Sequence, residues 1–141
     1  MSIAILASGT LLKIGGAASS ATLTTIPECK KIKAPNIKFD LKDTTSHDNA
    51  NSFRTWLPGL ADGETCTADI NFVPTNAIHT QIRTQQYAFT ADYFELIFPN
   101  PGAGSSITFD SYVQSFTQEA DVGELLTAVA TLKITGAPIW V

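Results

Sequence analysis

Four segments of the chain place an apolar side chain at every second position, which is the period of half-buried β-strands. The intervening positions are mostly polar, so each strand can offer one face to a core. Several such faces together build a single core, which predicts a mainly β protein with an antiparallel β-sandwich or barrel. The alternating apolar positions are Ile37, Phe39 and Leu41; Cys66, Ala68, Ile70 and Phe72; Phe94, Leu96 and Phe98; and Leu126, Ala128, Ala130, Leu132 and Ile134.

Glycine- and proline-rich runs separate these strands. The run Pro-Asn-Pro-Gly-Ala-Gly at 99–104 predicts a hairpin loop, and Asp-Val-Gly at 121–123 predicts a turn into the last strand. The run Gly-Gly-Ala-Ala-Ser-Ser at 15–20 predicts a flexible bend between two short strands.

One segment departs from the two-residue period. Residues 75–87 follow Pro74, and Thr75 or Asn76 can serve as the N-cap of a helix. Ile78 and Ile82 lie four positions apart, so they share a helix face that would pack on the sheet. The segment predicts one α-helix flanking the β-domain, with His79 on its exposed surface.

Residues 43–63 form a long polar stretch that ends in a cluster of apolar residues. Connections of this length without periodicity are uncommon in compact domains and are usually functional or disordered. Disorder is a poor explanation here, because disordered segments are depleted in the residue types of Phe53, Trp56, Leu57 and Leu60. Aromatic and arginine side chains dominate interface energetics. We therefore interpret 43–63 as a long inter-subunit loop.

Pro58-Gly59 is expected to turn this loop. For Phe53 and Trp56 the residues alone leave two interpretations open, because the rings can cap the protein's own core or pack on a neighbouring subunit. The residues expected at the interface are Ser46, His47, Asp48, Phe53, Arg54, Trp56, Leu57, Pro58 and Leu60.

Length and charge limit the classes of function. A chain of 141 residues buries about two-thirds of its unfolded surface, which predicts one domain over 1–141, with 1–20 as an N-terminal arm. A net charge of −4 argues against a protein that grips nucleic acid, because phosphate affinity requires clustered Lys and Arg. The lysines that do cluster are interrupted by acidic residues and predict a solvated strand face. They are Lys30, Lys31, Lys33, Lys38 and Lys42.

The first residues do not resemble a signal peptide, because their apolar run is short and lacks a basic start. No run approaches the ~20 apolar residues of a membrane span. We therefore expect that the protein does not associate with a membrane and that it is synthesised in the cytoplasm.

Candidate chemistry is sparse. Ser46-His47-Asp48 resembles a triad in composition, but a triad requires three side chains that converge from separate parts of a fold. His47 and His79 lack partners at metal-ligand spacing, and no glycine-rich phosphate cradle opens a helix. We predict no enzymatic activity, no metal and no cofactor. Local hydrogen bonding is the expected role of Ser46 and Asp48.

Cys29 and Cys66 permit one disulfide without requiring it. Cys66 lies on the apolar face of a strand, where cysteine usually behaves as a small hydrophobic residue. We expect two reduced, structural thiols.

The segment 43–63 also carries a resemblance. Its D-x-T-S-H-D run, its Phe-Arg pair and its closing P-G-L-x-D-G resemble the major tail tube proteins of long-tailed, siphophage-type bacteriophages. The similarity extends from about residue 10 to residue 136. It implies a β-sandwich subunit that assembles into stacked hexameric rings around a conduit for DNA.

The resemblance also implies partners and a location. The partners are further copies of the chain and the tape-measure, tail-tip and tail-terminator proteins, and DNA passes through without specific binding. The location is the virion tail, assembled in the host cytoplasm. A conduit should avoid clustered cations on its wall, so Asp69 and Asn71 are candidates for the lumen. The alternatives are the tube of a contractile or secretion-type machine and a β-sandwich binding module on a virion surface.

Overall fold

The computed structural model describes residues 4–15, 23–48, 52–99, 102 and 104–141. The expected bend at 15–20 lies largely outside the described residues, as do part of the expected N-terminal arm 1–20 and residues 100, 101 and 103 of the loop at 99–104. The strands on either side of that loop pair antiparallel, which confirms the predicted hairpin. Within the described residues the chain is mainly β with one helix, as predicted. The elements are β1 (Leu11–Ile14), β2 (Thr24–Thr25), β3 (Cys29–Lys33), β4 (Lys38–Asp43), β5 (Trp56–Asp62), β6 (Thr65–Asn71), α1 (Ala77–Ala88), β7 (Asp92–Ile97), β8 (Ser106–Glu119) and β9 (Thr127–Trp140).

Seven strands form one antiparallel sheet in the order β2-β1-β7-β8-β9-β6-β3, and β4 and β5 form a separate ribbon. The strands at the two ends of the large sheet, β2 and β3, are joined by Ile26, Pro27 and Glu28 alone. That connection reaches at most about 14 Å, whereas a flat sheet of this many strands would be about 29 Å wide. The sheet must therefore curl until its two ends meet, as in a barrel.

The seam of the barrel is the place where the two ends of the sheet approach each other, at residues 26–28. Hydrogen bonds attach this connection to β1 on one side and to β6 on the other. The Ile26 N–H donates to the Leu12 carbonyl on β1 at 2.8 Å, and the Asn71 N–H on β6 donates to the Glu28 carbonyl at 2.9 Å. These bonds hold the connection against its neighbours on each side, while no strand pairing joins β2 to β3 among the described residues.

The core lies inside the curled sheet and is built by the predicted alternation. Along β6, Cys66, Ala68 and Ile70 are buried while the residues between them face outward. Phe94 on β7 and Phe109 on β8 stack inside with ring centroids 5.8 Å apart. One expected contribution is wrong: Phe39 and Leu41 are half-exposed on the ribbon and take no part in this core. Alternation shows that a strand has an apolar face and does not show what covers it.

Helix α1 lies against β8 and closes part of the core. Asn76, one of the two expected N-caps, accepts hydrogen bonds from Ile78 N at 2.9 Å and His79 N at 3.3 Å. The helix occupies 77–88, close to the predicted 75–87.

The expectation of a surface histidine on α1 is wrong, because His79 is fully buried. Its Nδ1 accepts from the Val73 N–H at 3.1 Å. Since Nδ1 accepts, Nε2 carries the proton and donates to the Pro27 carbonyl at 3.0 Å. His79 therefore links the helix to the seam of the barrel.

Both cysteine thiols are free, as expected. Cys29 pairs with Ile70, four residues along β6 from Cys66, which places the two Cα atoms about 13 Å apart along the strands. That exceeds the reach of a disulfide. Burial raises the pKa of Cys29 to about 11. Burial, with a smaller charge repulsion from Cys29, raises the pKa of Cys66 to about 12.

Candidate assembly surface

The segment expected to be one long loop is partly a strand. Residues 56–62 form β5, which pairs antiparallel with β4, so the connecting loop runs only from 44 to 55. Pro58 and Gly59 do not form the expected turn; they lie within β5, and Pro58 pairs with Leu41. A proline is tolerated there because each strand of a two-stranded ribbon has an unpaired edge.

The ribbon is amphipathic. Cα partners in an antiparallel pair point to the same face, so the partners Phe39–Ala61 and Leu41–Pro58 share one face with Trp56, the partner of Asp43. The opposite face carries Lys38, Asp40, Lys42, Leu57 and Asp62. One side of the ribbon is therefore apolar except for Asp43 at its end, and the other is mainly charged.

The apolar side has no cover within the described subunit. Every residue of β4 and β5 is exposed, and Trp56 keeps 50% of its surface accessible. Leu60 is 92% exposed. An isolated two-stranded ribbon is marginally stable in water, and exposed apolar surface of this kind marks an interaction site. Trp56 is not among the residues of the buried core, and it lies on the ribbon with half of its surface accessible.

Hydrogen bonds order the base of the 44–55 loop. The Thr44 N–H donates to the Thr55 carbonyl at 2.9 Å, and the Thr55 N–H donates to Thr45 Oγ1 at 2.9 Å. The Thr45 N–H donates to Asp43 Oδ1 at 2.9 Å. Hydrogen bonds from Thr45, with a smaller contribution from the Arg54 guanidinium, lower the pKa of Asp43. The ribbon therefore ends in a base that hydrogen bonds close across residues 43–45 and Thr55.

The expected interface residues that belong to the 44–55 loop lie at this end, whereas Trp56, Leu57, Pro58 and Leu60 lie along β5. The Ser46 hydroxyl donates to Asp48 Oδ1, which lowers the pKa of Asp48 and agrees with a local structural role. His47 is exposed beside them. Phe53 is 76% exposed, and Arg54 lies 3.9 Å from Asp43 in an exposed ion pair.

Sequence reasoning missed Phe39 and Leu41 as members of this surface. Their position can be recognised only when the two strands are considered together, because the apolar positions of β4 align with Trp56 and Pro58 once the antiparallel register is known. A β-bulge between Phe39 and Leu41 shifts this register. The sequence of one strand alone does not reveal such a bulge.

The two lumen candidates lie on the outer face of the curled sheet. Asp69 and Asn71 alternate with the buried Ala68 and Ile70 on β6. Asp69 is the direct cross-strand partner of Lys31 on β3. The predicted lysine cluster is divided between two elements, because its residues at 30–33 lie on β3 and those at 38–42 lie on the ribbon. Any surface that contains Asp69 also contains Lys31.

No group of three or more His, Cys, Asp or Glu side chains within the described residues could hold a metal ion. Over the same residues, α1 is too short and too polar to cross a bilayer.

No protein-family model matches the chain, and no curated protein sequence matches it. Solved structures do match. A chain in the tail of an empty gene transfer agent particle, determined with C6 symmetry, is 14% identical, with a TM-score of 0.82 over 98% of this chain and 99% of that one. A chain in the baseplate of the anti-feeding prophage is 10% identical, with a TM-score of 0.74 over 99% of this chain and 98% of that one.

A third match is the tail tube of SPP1, 12% identical, with a TM-score of 0.64 over 90% of this chain and 72% of that one. At these identities the likeness concerns architecture. The chain has the fold found in the SPP1 tail tube and in chains of the gene transfer agent tail and the anti-feeding prophage baseplate.

Proposed function

We propose that the protein is the structural subunit of a phage tail tube, which assembles as stacked hexameric rings around a conduit for DNA. The observation that carries the proposal is the β4–β5 ribbon, whose apolar face is uncovered in the subunit. The likeness of the whole chain to the SPP1 tail tube supports the proposal of a tube, and its likeness to a chain of a tail with C6 symmetry supports six subunits per ring.

The ribbon is the proposed contact between neighbouring subunits. Trp56, Phe39 and Leu41 supply an apolar centre, Phe53 adds an exposed aromatic ring from the loop, and the loop residues 46–48 and Arg54 supply a polar rim. Interfaces with an aromatic centre and a polar rim concentrate their binding energy in a few residues. Edge strands provide a second type of contact, because β2 and β3 end the sheet and each has one side free of strand pairing among the described residues.

The same proposal sets the partners and the location. The tube would contact the tape-measure protein inside, the tip complex at one end and the terminator at the other. The protein would reside in the virion tail after assembly in the host cytoplasm. DNA would pass without being held, and the role would require no enzymatic chemistry.

A second candidate is the inner tube of a contractile or secretion-type machine. The likeness to a chain of the anti-feeding prophage baseplate favours it, as does the likeness to a chain of an extracellular contractile injection system, 14% identical with a TM-score of 0.68. Immunogold labelling of intact particles separates the candidates, because a contractile machine shows label beneath a sheath and a siphophage-type tail shows label along a bare tail. A monomeric surface-binding module is disfavoured by the uncovered ribbon.

Trp56→Ala tests the proposal. Truncating a tryptophan at an interface centre costs on the order of 2 kcal/mol or more per contact, and a ring repeats the contact at every subunit. We expect wild-type protein at high concentration to form hollow tubes in electron micrographs and the variant to sediment as a monomer. Circular dichroism should be unchanged, because Trp56 lies outside the core.

Lys42→Ala is the matched control, since Lys42 lies on the opposite face of the same ribbon. We expect it to form normal tubes. Normal tubes from Trp56→Ala would refute the interface role of the apolar face. Wild-type protein that remains monomeric even with the tail-tip complex as a nucleus would refute the tube.

A further inference from the structure

A cleft rich in aromatic residues lies between the end of α1 and the strands β8 and β9. It encloses about 550 Å³. Three aromatic side chains line it, together with glutamines and one lysine that supply its polar groups. The described lining residues are Gln85, Gln86, Tyr87, Phe89, Tyr112, Val113, Gln114 and Lys133. Tyr87 and Phe89 are largely exposed, so most of their surface is open to a partner.

Phe89 is held in an unfavourable backbone conformation. It is the C-cap of α1 with φ 55° and ψ 33°, a left-handed geometry that costs free energy for any residue with a Cβ and favours glycine or asparagine. The ring is 83% exposed, so packing within the subunit does little to offset that cost. The Thr90 hydroxyl donates to Gln85 Oε1 at 2.8 Å and helps to order the turn. Strain of this kind clusters at functional sites, which points to a role for the ring outside its own subunit.

The end of the ribbon loop has chemistry that complements the cleft. Phe53 is exposed there, and the side chain of its neighbour Arg54 is three-quarters exposed. We call these two residues the loop knob. Aromatic rings attract a guanidinium through cation–π contact, and they pair favourably with another ring in stacked or edge-to-face geometry. A cleft with three rings is therefore suited to the loop knob.

The charges around the cleft are compatible with an arginine. Lys133 Nζ donates to Asp62 Oδ2 at 2.8 Å, so a carboxylate already balances the cation of the cleft. A second carboxylate, that of Asp110, is exposed on the same face of β8 as Tyr112 and lies two positions from it. An arginine that enters the cleft therefore meets both aromatic rings and negative charge.

The cleft and the loop knob lie at opposite ends of the ribbon. Lys133, which lines the cleft, binds Asp62 at the root of the ribbon. Trp56 is at the other end of β5, about 20 Å away at the usual rise of a strand, and the loop knob lies beyond it. No described residue of the ribbon or its loop lines the cleft. The loop knob of one subunit is therefore placed to reach the cleft of another copy.

We propose that the loop knob, Phe53 and Arg54, of one subunit docks in the aromatic cleft formed by Tyr87, Phe89 and Tyr112 of a second copy. The inference rests on the proposed tube subunit, and it identifies the surface that receives the end of the ribbon. The two patches differ, so the contact is heterologous and is repeated from copy to copy instead of ending at a dimer.

Phe89→Asn tests the cleft without weakening the fold, because asparagine is favoured in this backbone conformation. We expect an unchanged or higher midpoint of urea unfolding. The critical concentration for tubes, measured by pelleting, should rise at least about tenfold, because an aromatic anchor is lost in every subunit. Val122→Asn is the matched control, since Val122 is a fully exposed apolar residue on the β8–β9 turn, and it should form tubes at the wild-type concentration.

Tubes from Phe89→Asn at the wild-type concentration would overturn the inference. A lower urea midpoint would also overturn it, because the ring would then be packing within its own subunit. An equal loss of tubes in Val122→Asn would show that the effect is not specific to the cleft. These outcomes differ from failure of the tube itself, in which wild-type protein forms no tubes.

Coupling between the two sides provides a second test. Phe53→Ala alone should also raise the critical concentration. Combined with Phe89→Asn it should raise the value no further than the stronger single variant, because both substitutions remove the same contact. Effects that multiply in the combined variant would show two separate contacts and contradict the docking.

A cysteine pair tests the contact with its aromatic residues in place. Ser52→Cys beside the loop knob and Ala88→Cys beside the cleft are both at exposed positions. They are introduced together with Cys29→Ser and Cys66→Ala, and the tubes are oxidised. The docking predicts a ladder of covalent multimers beyond the dimer on a non-reducing gel, and chains with either new cysteine alone should remain monomeric. Monomers, or dimers alone, from the paired variant would contradict it.

Discussion

Gly63 lies so close to Ile134 that a Cβ added to it would stand 2.5 Å from Ile134 Cγ2. This contact is at the root of the β4–β5 ribbon, where the chain passes from β5 into β6. Lys133 Nζ lies 2.8 Å from Asp62 Oδ2 in the same place, and the Ile134 N–H donates to the Glu64 carbonyl at 3.0 Å. The ribbon, although exposed along its length, is therefore held to the barrel at a tightly packed point.

Gly63→Ala should destabilise the subunit, because Ile134 is buried and cannot move aside freely. Overpacking of this kind costs about 1–3 kcal/mol. Urea unfolding followed by circular dichroism measures the change. Gly102→Ala is the control, since a Cβ there meets nothing within 4 Å, and it should leave the unfolding midpoint unchanged. Equal stability of the two variants would show that the ribbon root is loose in solution.

His79→Ala should lower the free energy of unfolding by about 2–4 kcal/mol, because it leaves the Val73 N–H and the Pro27 carbonyl without their partner and opens a cavity. Arg83→Ala on the exposed side of the same helix is the matched control, with an expected change within about 0.5 kcal/mol. Because His79 bonds to the β2–β3 connection, amide hydrogen exchange should increase at Ile26 in the first variant. Unchanged exchange at Ile26 would contradict the link between helix and seam.

A comparison of the strand residues of β6 with His79 shows how far the sequence determines the structure. The strand faces follow from side-chain alternation, which is why Cys66, Ala68 and Ile70 could be assigned to the core. The burial of His79 could not be predicted, because it depends on Val73 and on Pro27, a residue distant in sequence that the curled sheet brings alongside. The exposure of Phe39 is equally invisible, since its alternation is the same as that of a core strand.

The exposed aromatic and apolar side chains of this segment were more accessible to sequence reasoning than the ribbon that carries them. The concentration of Phe53, Trp56 and Leu57 in one segment indicates a contact surface whatever its secondary structure. The prediction of a turn at Pro58-Gly59 was wrong, because local turn propensity competes with pairing to β4, and pairing prevails.

The two thiols should make stability depend on alkaline pH. Burial raises the pKa of Cys29 from the usual 9.0 to about 11 and that of Cys66 to about 12. Between pH 9 and 11 the unfolded chain therefore loses thiol protons that the folded chain retains, so the free energy of unfolding falls as pH rises. A Cys29→Ala/Cys66→Ala variant should show a shallower decline over this range in urea titrations. Identical slopes would contradict the burial of the thiols.

The same thiols should react slowly with a disulfide reagent such as 5,5′-dithiobis(2-nitrobenzoate) at pH 8, since the thiolate is the reactive form. Unfolding in urea should release both at the rate of exposed cysteines. Rapid reaction of two thiols per native chain would show that the core around Cys66 opens readily.

The charge on the outer face of β3 and β6 provides a test of whether that face lines the conduit. Lys31 stands opposite Asp69, and Lys33 stands opposite Thr67, so Asp69 is the carboxylate directly opposite a lysine of β3. If the face lines the lumen, Asp69→Asn would create a ring of uncompensated lysines, repeated in every ring of the tube. Each phosphate neutralised by such a lysine adds affinity with a salt slope of about −0.7 for single-stranded DNA. We expect variant tubes, assembled in the presence of a short fluorescent oligonucleotide, to retain it at low salt and release it as salt rises. Wild-type tubes should not retain it.

Asp69→Asn/Lys31→Gln is the matched control, because it removes both charges of the pair and should return retention towards the wild-type level. Retention that is equal in all three kinds of tube would place this face away from the conduit and leave Asp69 and Asn71 on the outside of the tube.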